Sequence, residues 1–455
     1  MQRGSVVLST AGVAFSFVGV GAASRMRQFQ EHRRGRRRGR KAVVKVEEVR
    51  VVPGLGGSWC DDLAAIRAGA QPDGFTYRGQ PVTAGFPAVR APGGSLGVML
   101  LLADGNVAVG DCVSVTYAGQ AGRDPLLVSD EATAKRLQAL LADRLVGIEV
   151  TGFRQWGEWA DGLEGDPLLG HSGVRYGLSQ ALLNAAALVA GKLPVQVLAE
   201  EYGLEPTREP IPLFVQTGED RFSGADRAIL KWADGLPHGL FNTVEKLGAR
   251  GQGLLEYCDW LCRRIEELGG AEYQPFIQFD TYGTIGACFG MDTEAVGDYL
   301  GALAQRAEPY ELRVEGVLEG ASPAEHLEVM VRLRRRLRER GIPVALVADE
   351  WCNTLADIKA FAEAGAADYL QIKMPDLGSL TNALEATLCC QRAGLGAYLG
   401  GSCNETDVSA RLTVHVGLAA GADYILAKPG FGIDEALMVM RNEMLRTLAV
   451  LIAEG

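Results

Sequence analysis

Asp280, Glu315 and Asp349 each close a short apolar run, and they stand 35 and 34 residues apart. The runs are PFIQFD (275–280), ELRVE (311–315) and PVALVAD (343–349). Each is too short and too rich in β-branched or aromatic residues for a helix, and helix-like sequence follows each one. Strands that end in polar side chains and alternate with helices describe a parallel β/α barrel, whose strand ends open on one shared mouth. Three carboxylates gathered there repel one another unless a hard divalent cation sits between them. A Mg²⁺ site held by Asp280, Glu315 and Asp349 is therefore the first expectation.

Other strand ends add residues of catalytic type. Gln216 closes the first candidate strand and His238 lies in the second. Gln371 and Lys373 end the sixth, Gly400-Gly401-Ser402-Cys403 leaves the seventh, and Lys428-Pro429-Gly430 leaves the eighth. In a ring of eight, strands two and six are opposed, so His238 and Lys373 face each other across the substrate. A proton on the carbon beside a carboxylate is weakly acidic because its removal makes a dianionic enediolate. A divalent cation and a nearby donor stabilise that charge. A lysine close to such a cation loses part of its preference for the charged form and becomes usable as a general base. Lys373 is assigned as that base and His238 as a second base or electrostatic helper. Gln216, Gln371, Ser402 and Cys403 hold the remaining polar groups of a small acid substrate.

Several polar residues have plainer explanations. Asp376 follows Pro375 and suits a turn or helix N-cap. Glu350 would point away from Asp349 if the strand continued through it, which leaves it at most a supporting role. Cys403 has no base beside it in sequence, so packing or substrate contact suits it better than nucleophilic attack. His171, His326 and His415 lie on helix or loop stretches and receive no role. RLRRRLRER (332–340) is expected to be a solvated helix face.

The elements that must position this set fall into two textures. From 45 to 202 the chain reads as α+β. KVEEVRVV (45–52), GVMLLLADG (97–105) and VAVGDCVSV (107–115) look like antiparallel strands with Asp104-Gly105 as a hairpin turn. Helical stretches follow around 131–142 and 175–190. After Pro210, eight candidate strands alternate with helices: IPLFVQ (211–216), GLPHGLFN (235–242), the three acidic runs, DYLQIK (368–373), GAYLGG (396–401) and DYILAK (423–428). The expected architecture is α/β, a C-terminal (β/α)₈ barrel of the TIM type with an N-terminal α+β capping domain. Its boundaries are 1–41 for an extension, 42–206 for the cap and 207–455 for the barrel.

Residues 1–41 carry ten basic side chains and one acid, which leaves 35 basic against 55 acidic residues in 42–455. A body this acidic excludes nucleic acid as a partner. In the extension an uncharged stretch (4–24) precedes the basic run HRRGRRRGRK (32–41). That order is wrong for a secretory signal, and the Gly, Ser and Thr content suits a membrane anchor poorly. A disordered extension is expected, with membrane attachment as the lesser alternative. Nine cysteines, an odd number without ligand spacing, fit reduced thiols in a cytoplasmic protein.

Long motifs then add a resemblance. LPHGLFNTVEKLG (236–248), FDTYGTIGACF (279–289), RVEG (313–316), LVADEWCNT (346–354), QIKMPDLG (371–378), GGSCNET (400–406) and LAKPG (426–430) resemble the methylaspartate ammonia-lyase family, a branch of the enolase superfamily. DGFTYRG (73–79), GDCVSVTYAGQAGRDPL (110–126) and VRYGLSQA (174–181) extend the likeness into the cap. The resemblance implies a carbon–nitrogen lyase that reversibly eliminates ammonia from (2S,3S)-3-methylaspartate to give mesaconate. It implies Mg²⁺, often K⁺ as an activator, a homodimer, and a place in glutamate degradation through that route. It also implies Asp280, Glu315 and Asp349 as metal ligands, Lys373 as the base at C3 and His238 opposite it. Gln216, Gln371, Ser402 and Cys403 match its substrate contacts, although the family more usually has Thr at the position of Ser402. The rival is an acid-sugar dehydratase or racemase of the same superfamily. Many of those carry a Lys-x-Lys pair ahead of the first ligand, where this chain has PHGLFN, and position 371 here is Gln rather than Lys.

Overall fold

Eight short parallel strands close on themselves in the computed structural model, which describes residues 43–430 and 432–454. Numbered along the chain, the cap contributes β1 (Val46–Asp61), β2 (Gln71–Asp73), β3 (Thr76–Arg78), β4 (Arg90–Leu102) and β5 (Val107–Val113). The barrel follows with β6 (Leu213–Phe214), β7 (Gly235–His238), β8 (Phe276–Asp280), β9 (Leu312–Glu315), β10 (Val344–Ala348), β11 (Tyr369–Gln371), β12 (Gly396–Leu399) and β13 (Tyr424–Leu426). The ring runs in sequence order and closes where Leu426 pairs with Phe214. All eight expected strands are present, each shorter than its apolar run; His238, Asp280, Glu315 and Gln371 stay in the ladder at strand ends, whereas Gln216, Asp349 and Lys373 lie just beyond theirs. β7 and β11 are four places apart in the ring and so face each other.

The barrel interior is packed by ring side chains. Phe214, Phe276, Tyr398 and Tyr424 are buried there with Val347 and Leu426, each such side chain contributing about 1.5–3 kcal/mol by leaving water. Arg313 points into the same floor and lies over Phe276, Tyr369 and Tyr424, 3.8, 4.4 and 4.5 Å from their centroids. The rings attract its charge by cation–π contact, and its Nε donates to Glu311 Oε1 at 2.8 Å.

The cap is a three-stranded antiparallel sheet, order β1-β4-β5, with the Asp104-Gly105 turn between the last two strands. The helix Ser172–Ala190 packs on it at very close range. A Cβ at Gly110 of β5 would stand 2.5 Å from Ala181 N and closer still to Gly177 O. A Cβ at Gly177 would stand 2.6 Å from the Asp111 carbonyl carbon. Glycine on both surfaces lets backbone meet backbone. Among the described residues no single helix is long and apolar enough to cross a membrane, and all nine cysteines are free thiols. The expected extension, 1–41, lies outside the described residues.

Candidate active site

Period-two alternation builds the site from the barrel floor upward. On β8, Gln278 and Asp280 share the inward face; on β9, Arg313 and Glu315 do the same. Gln278 accepts from Tyr424 Oη at 2.8 Å and donates through Nε2 to Glu315 Oε2 at 2.6 Å. The other Glu315 oxygen accepts from Gln371 Nε2 on β11. Glu315 is thus held from two sides, while burial, Asp280 and Asp349 push its carboxyl well above the usual range. Asp280 is the register neighbour of Glu315 at the strand ends.

His238 ends β7 with φ of 69°, in the left-handed region that costs a non-glycine residue energy. That turn aims its Nε2 at Asp280 Oδ2, 3.1 Å away, and leaves its buried Nδ1 without a hydrogen-bond partner. His238, Asp280 and Glu315 offer ligand atoms that all lie within 4.8 Å of one another.

β10 stops at Ala348, one residue before Asp349. Lys373 Nζ reaches both oxygens of Asp349, at 2.7 and 2.8 Å. Arg123, delivered by the cap, donates from Nη2 to Asp349 Oδ1 at 3.2 Å and from Nε to Asp376 Oδ2 at 2.9 Å. Burial alone would raise the Asp349 carboxyl, but Lys373 and Arg123 hold it below its ordinary value.

Gln216, His238, Asp280, Glu315, Asp349, Gln371, Lys373, Ser402 and Cys403 all line one cavity. Lys373 and His238 come to it from the opposed strands β11 and β7. Cys403 Sγ donates to Gln216 Oε1, and Ser402 Oγ lies 3.4 Å from Thr116 Oγ1 of the cap.

Two expectations need correction. Glu350 lines the cavity instead of turning away, because the strand has already ended and its alternation no longer applies. It is buried, its Oε2 has no hydrogen-bond partner, and burial with Asp349 and Asp280 beside it raises its carboxyl to about 8. A missing side chain makes the room: a Cβ at Gly316 (φ 58°) would stand 3.0 Å from Asp280 Oδ1 and 3.3 Å from Glu350 Oε2. Asp376 is not an N-cap. Lys373 occupies that position of the helix Met374–Leu377, and Asp376 sits in its first turn, paired with Arg123. The one sequence signal for Arg123 is its place inside the motif at 110–126.

The unassigned histidines have local partners. His171 caps the helix Ser172–Ala190, His326 Nδ1 accepts from Gly320 N, and His415 meets Glu443. In the arginine run, Arg334 is buried against Asp368 and the Gly365 carbonyl, so that helix face is only partly solvated.

Comparison with known proteins covers the body almost completely. The family model described as "Methylaspartate ammonia-lyase N-terminus" matches residues 44–203, and "Methylaspartate ammonia-lyase C-terminus" matches 205–453. Methylaspartate ammonia-lyase 1 of Carboxydothermus hydrogenoformans is 47% identical over 409 residues, 90% of this chain and 97% of that protein. The crystal structure of methylaspartate ammonia lyase from Citrobacter amalonaticus containing (2S,3S)-3-methylaspartic acid superposes with a TM-score of 0.85 at 43% identity, covering 90% of this chain and 99% of that one. The Mg-complex of β-methylaspartase from Clostridium tetanomorphum gives the same TM-score and identity over 90% and 100% of the two chains. Muconate lactonizing enzyme from Pseudomonas putida, 15% identical with a TM-score of 0.56 over 82% and 84%, shares the fold.

Proposed function

The chain belongs to the methylaspartate ammonia-lyase family, and from that premise we propose that it eliminates ammonia from (2S,3S)-3-methylaspartate to give mesaconate, with Mg²⁺ bound beside Lys373. The observation that carries this reading is the approach of Lys373 and His238 from opposed strands to a cavity walled by acidic strand ends.

The residues fit a hard divalent cation. The donors are carboxylate oxygens, two of which stand as register neighbours, and Glu350 Oε2 beside them is buried without a partner. Among the described residues the close donor group includes His238 rather than Asp349. Mg²⁺ prefers oxygen, so the His238–Asp280 approach is better taken as an electrostatic contact that orients the imidazole. Asp280, Glu315 and Asp349 would then hold the ion. When bound, it stabilises the negative charge that proton removal places on the substrate carboxylate. The Lys373 ammonium meanwhile neutralises the Asp349 carboxylate that a divalent cation would otherwise neutralise.

The chain's own residues supply the remaining steps. Lys373 Nζ, in its neutral form, takes the C3 proton and becomes an ammonium; the C3–H electron pair moves into the adjacent carboxylate as an enediolate, then returns to form the C2–C3 double bond as the C2–N bond breaks and the substrate ammonium leaves as ammonia. His238, across the ring, stands on the opposite face of C3, where it acts as a second base or as a charge partner. Gln216, Gln371 and the 402–403 turn orient the carboxylates, so that only one C3–H bond meets Nζ. Family resemblance supports three further parts of the proposal: K⁺ as an activator, a homodimer, and service in glutamate degradation. Nine free thiols suit the cytoplasm.

Mesaconate formation followed by ultraviolet absorbance tests the reading. The full chain with Mg²⁺ should convert (2S,3S)-3-methylaspartate, and chelation should abolish the signal. Absence of turnover at any Mg²⁺ concentration overturns it. Asp349→Asn should weaken Mg²⁺ binding by about tenfold or more in calorimetric titration; an unchanged isotherm removes Asp349 from the ligand set.

A further inference from the structure

The turn that presents Ser402 and Cys403 is tied down by charges that the chemistry above does not use. Glu405 and Lys428 are both fully buried, with Lys428 Nζ 3.0 Å from Glu405 Oε2 and 3.1 Å from Oε1. Lys428 also donates to the Gly400 carbonyl at 2.9 Å and to Thr413 Oγ1 at 3.2 Å. Glu405 Oε2 accepts the Ser402 backbone N–H at 2.8 Å, and Oε1 accepts Tyr176 Oη at 2.6 Å. Lys428 therefore grips the turn where it leaves β12, and Glu405 grips it at Ser402. Tyr176, on the helix Ser172–Ala190, brings the cap into the same network.

Stability alone is a poor reason for such a pair. Desolvating two ions is costly, and apolar residues of similar volume usually serve a core as well or better. What the pair supplies is location. Two of its hydrogen bonds end on the backbone of the turn that carries Ser402 and Cys403, at Gly400 O and Ser402 N, and Asn404 N donates in turn to Ser402 Oγ at 3.1 Å.

We propose that Glu405 and Lys428 are positioning residues, which set the Ser402–Cys403 turn against the substrate, and that Tyr176 couples this setting to the cap. The inference rests on the reading that Ser402 and Cys403 contact substrate.

Two variants of the full chain and two readouts test it. Glu405→Leu combined with Lys428→Met removes both charges and the Ser402 acceptor together, leaving no unpaired ion. With Mg²⁺ saturating, this variant should melt near wild type and raise KM for 3-methylaspartate about tenfold or more, with kcat within about threefold. Tyr176→Phe removes a single hydroxyl and should raise KM about two- to fivefold. The second readout needs no turnover. Alkylation of Cys403 by iodoacetamide, followed by peptide mass mapping against buried Cys60 and Cys112, should accelerate in both variants. A folded double variant with KM and Cys403 labelling unchanged overturns the proposal. If the double variant does not fold, Tyr176→Phe decides by the same two measurements. Wild-type protein that fails to turn over 3-methylaspartate refutes the proposed reaction, whereas altered Cys403 labelling in the variants would still support the positioning role.

Discussion

Lys373 holds Asp349 with two short contacts, and Arg123 adds a third. A carboxylate so occupied is electrically satisfied without a metal, so Lys373 and a divalent cation compete for it. Replacing Lys373 by Ala removes the base and the competitor together. Turnover should fall roughly 10²–10⁴-fold, the usual worth of a positioned general base. Mg²⁺ affinity, read by calorimetry, should persist or rise. Near-normal turnover would strip Lys373 of its role, and a large loss of Mg²⁺ affinity would show that it supports the metal site instead. His238 differs in kind: its backbone is held in a costly conformation, and its Nε2 lies 3.1 Å from a carboxylate oxygen of Asp280, a proposed ligand. That strain is the local cost of turning an imidazole inward from the end of a strand.

At the scale of elements, loops after the strands do most of the positioning. The loop after β9 is pinned by His326, whose Nδ1 accepts from Gly320 N. Burial lowers the His326 pKa from 6.5 to about 4. Between those values the unfolded chain binds more protons than the folded one, so this contribution is complete above 6.5 and is lost as pH falls towards 4. His326→Gln keeps an acceptor but cannot be protonated. Its melting temperature should drop less between pH 7 and pH 5 than wild type does, by roughly 2 °C, in scanning calorimetry. An equal drop would show that His326 is not buried neutral. In the cap, backbone contact between β5 and the helix Ser172–Ala190 leaves no room for a methyl group. Gly110→Ala should cost about 1–3 kcal/mol and lower the melting temperature accordingly. A neutral result would mean that helix and sheet stand farther apart.

For the whole molecule, the cap completes the site rather than merely covering it. Arg123 and Thr116 reach cavity residues of the barrel, and Tyr176 reaches the turn beneath them. Cap and barrel together make one compact body from Lys45 onward. The matched family models begin at residue 44, so a chain starting at residue 42 should keep kcat/KM within about twofold of the full chain. A larger loss would give the basic extension a part in catalysis or folding. Fractionation of both forms would show whether residues 1–41 attach the protein to membranes.

Sequence alone sufficed to identify the barrel, its eight strands and nine of the residues that line the cavity, because strand ends and their spacing are local properties written in period and composition. The opposition of His238 and Lys373 follows as well, since eight parallel strands joined in order leave only one ring. Tertiary structure decided which partner each charge takes. Asp349 meets Lys373 and an arginine 226 residues away, Glu350 turns inward because its strand stops one residue early, and Glu405 meets a tyrosine 229 residues away. Ion pairing depends on distance and burial, and both arise only when segments remote along the chain pack together.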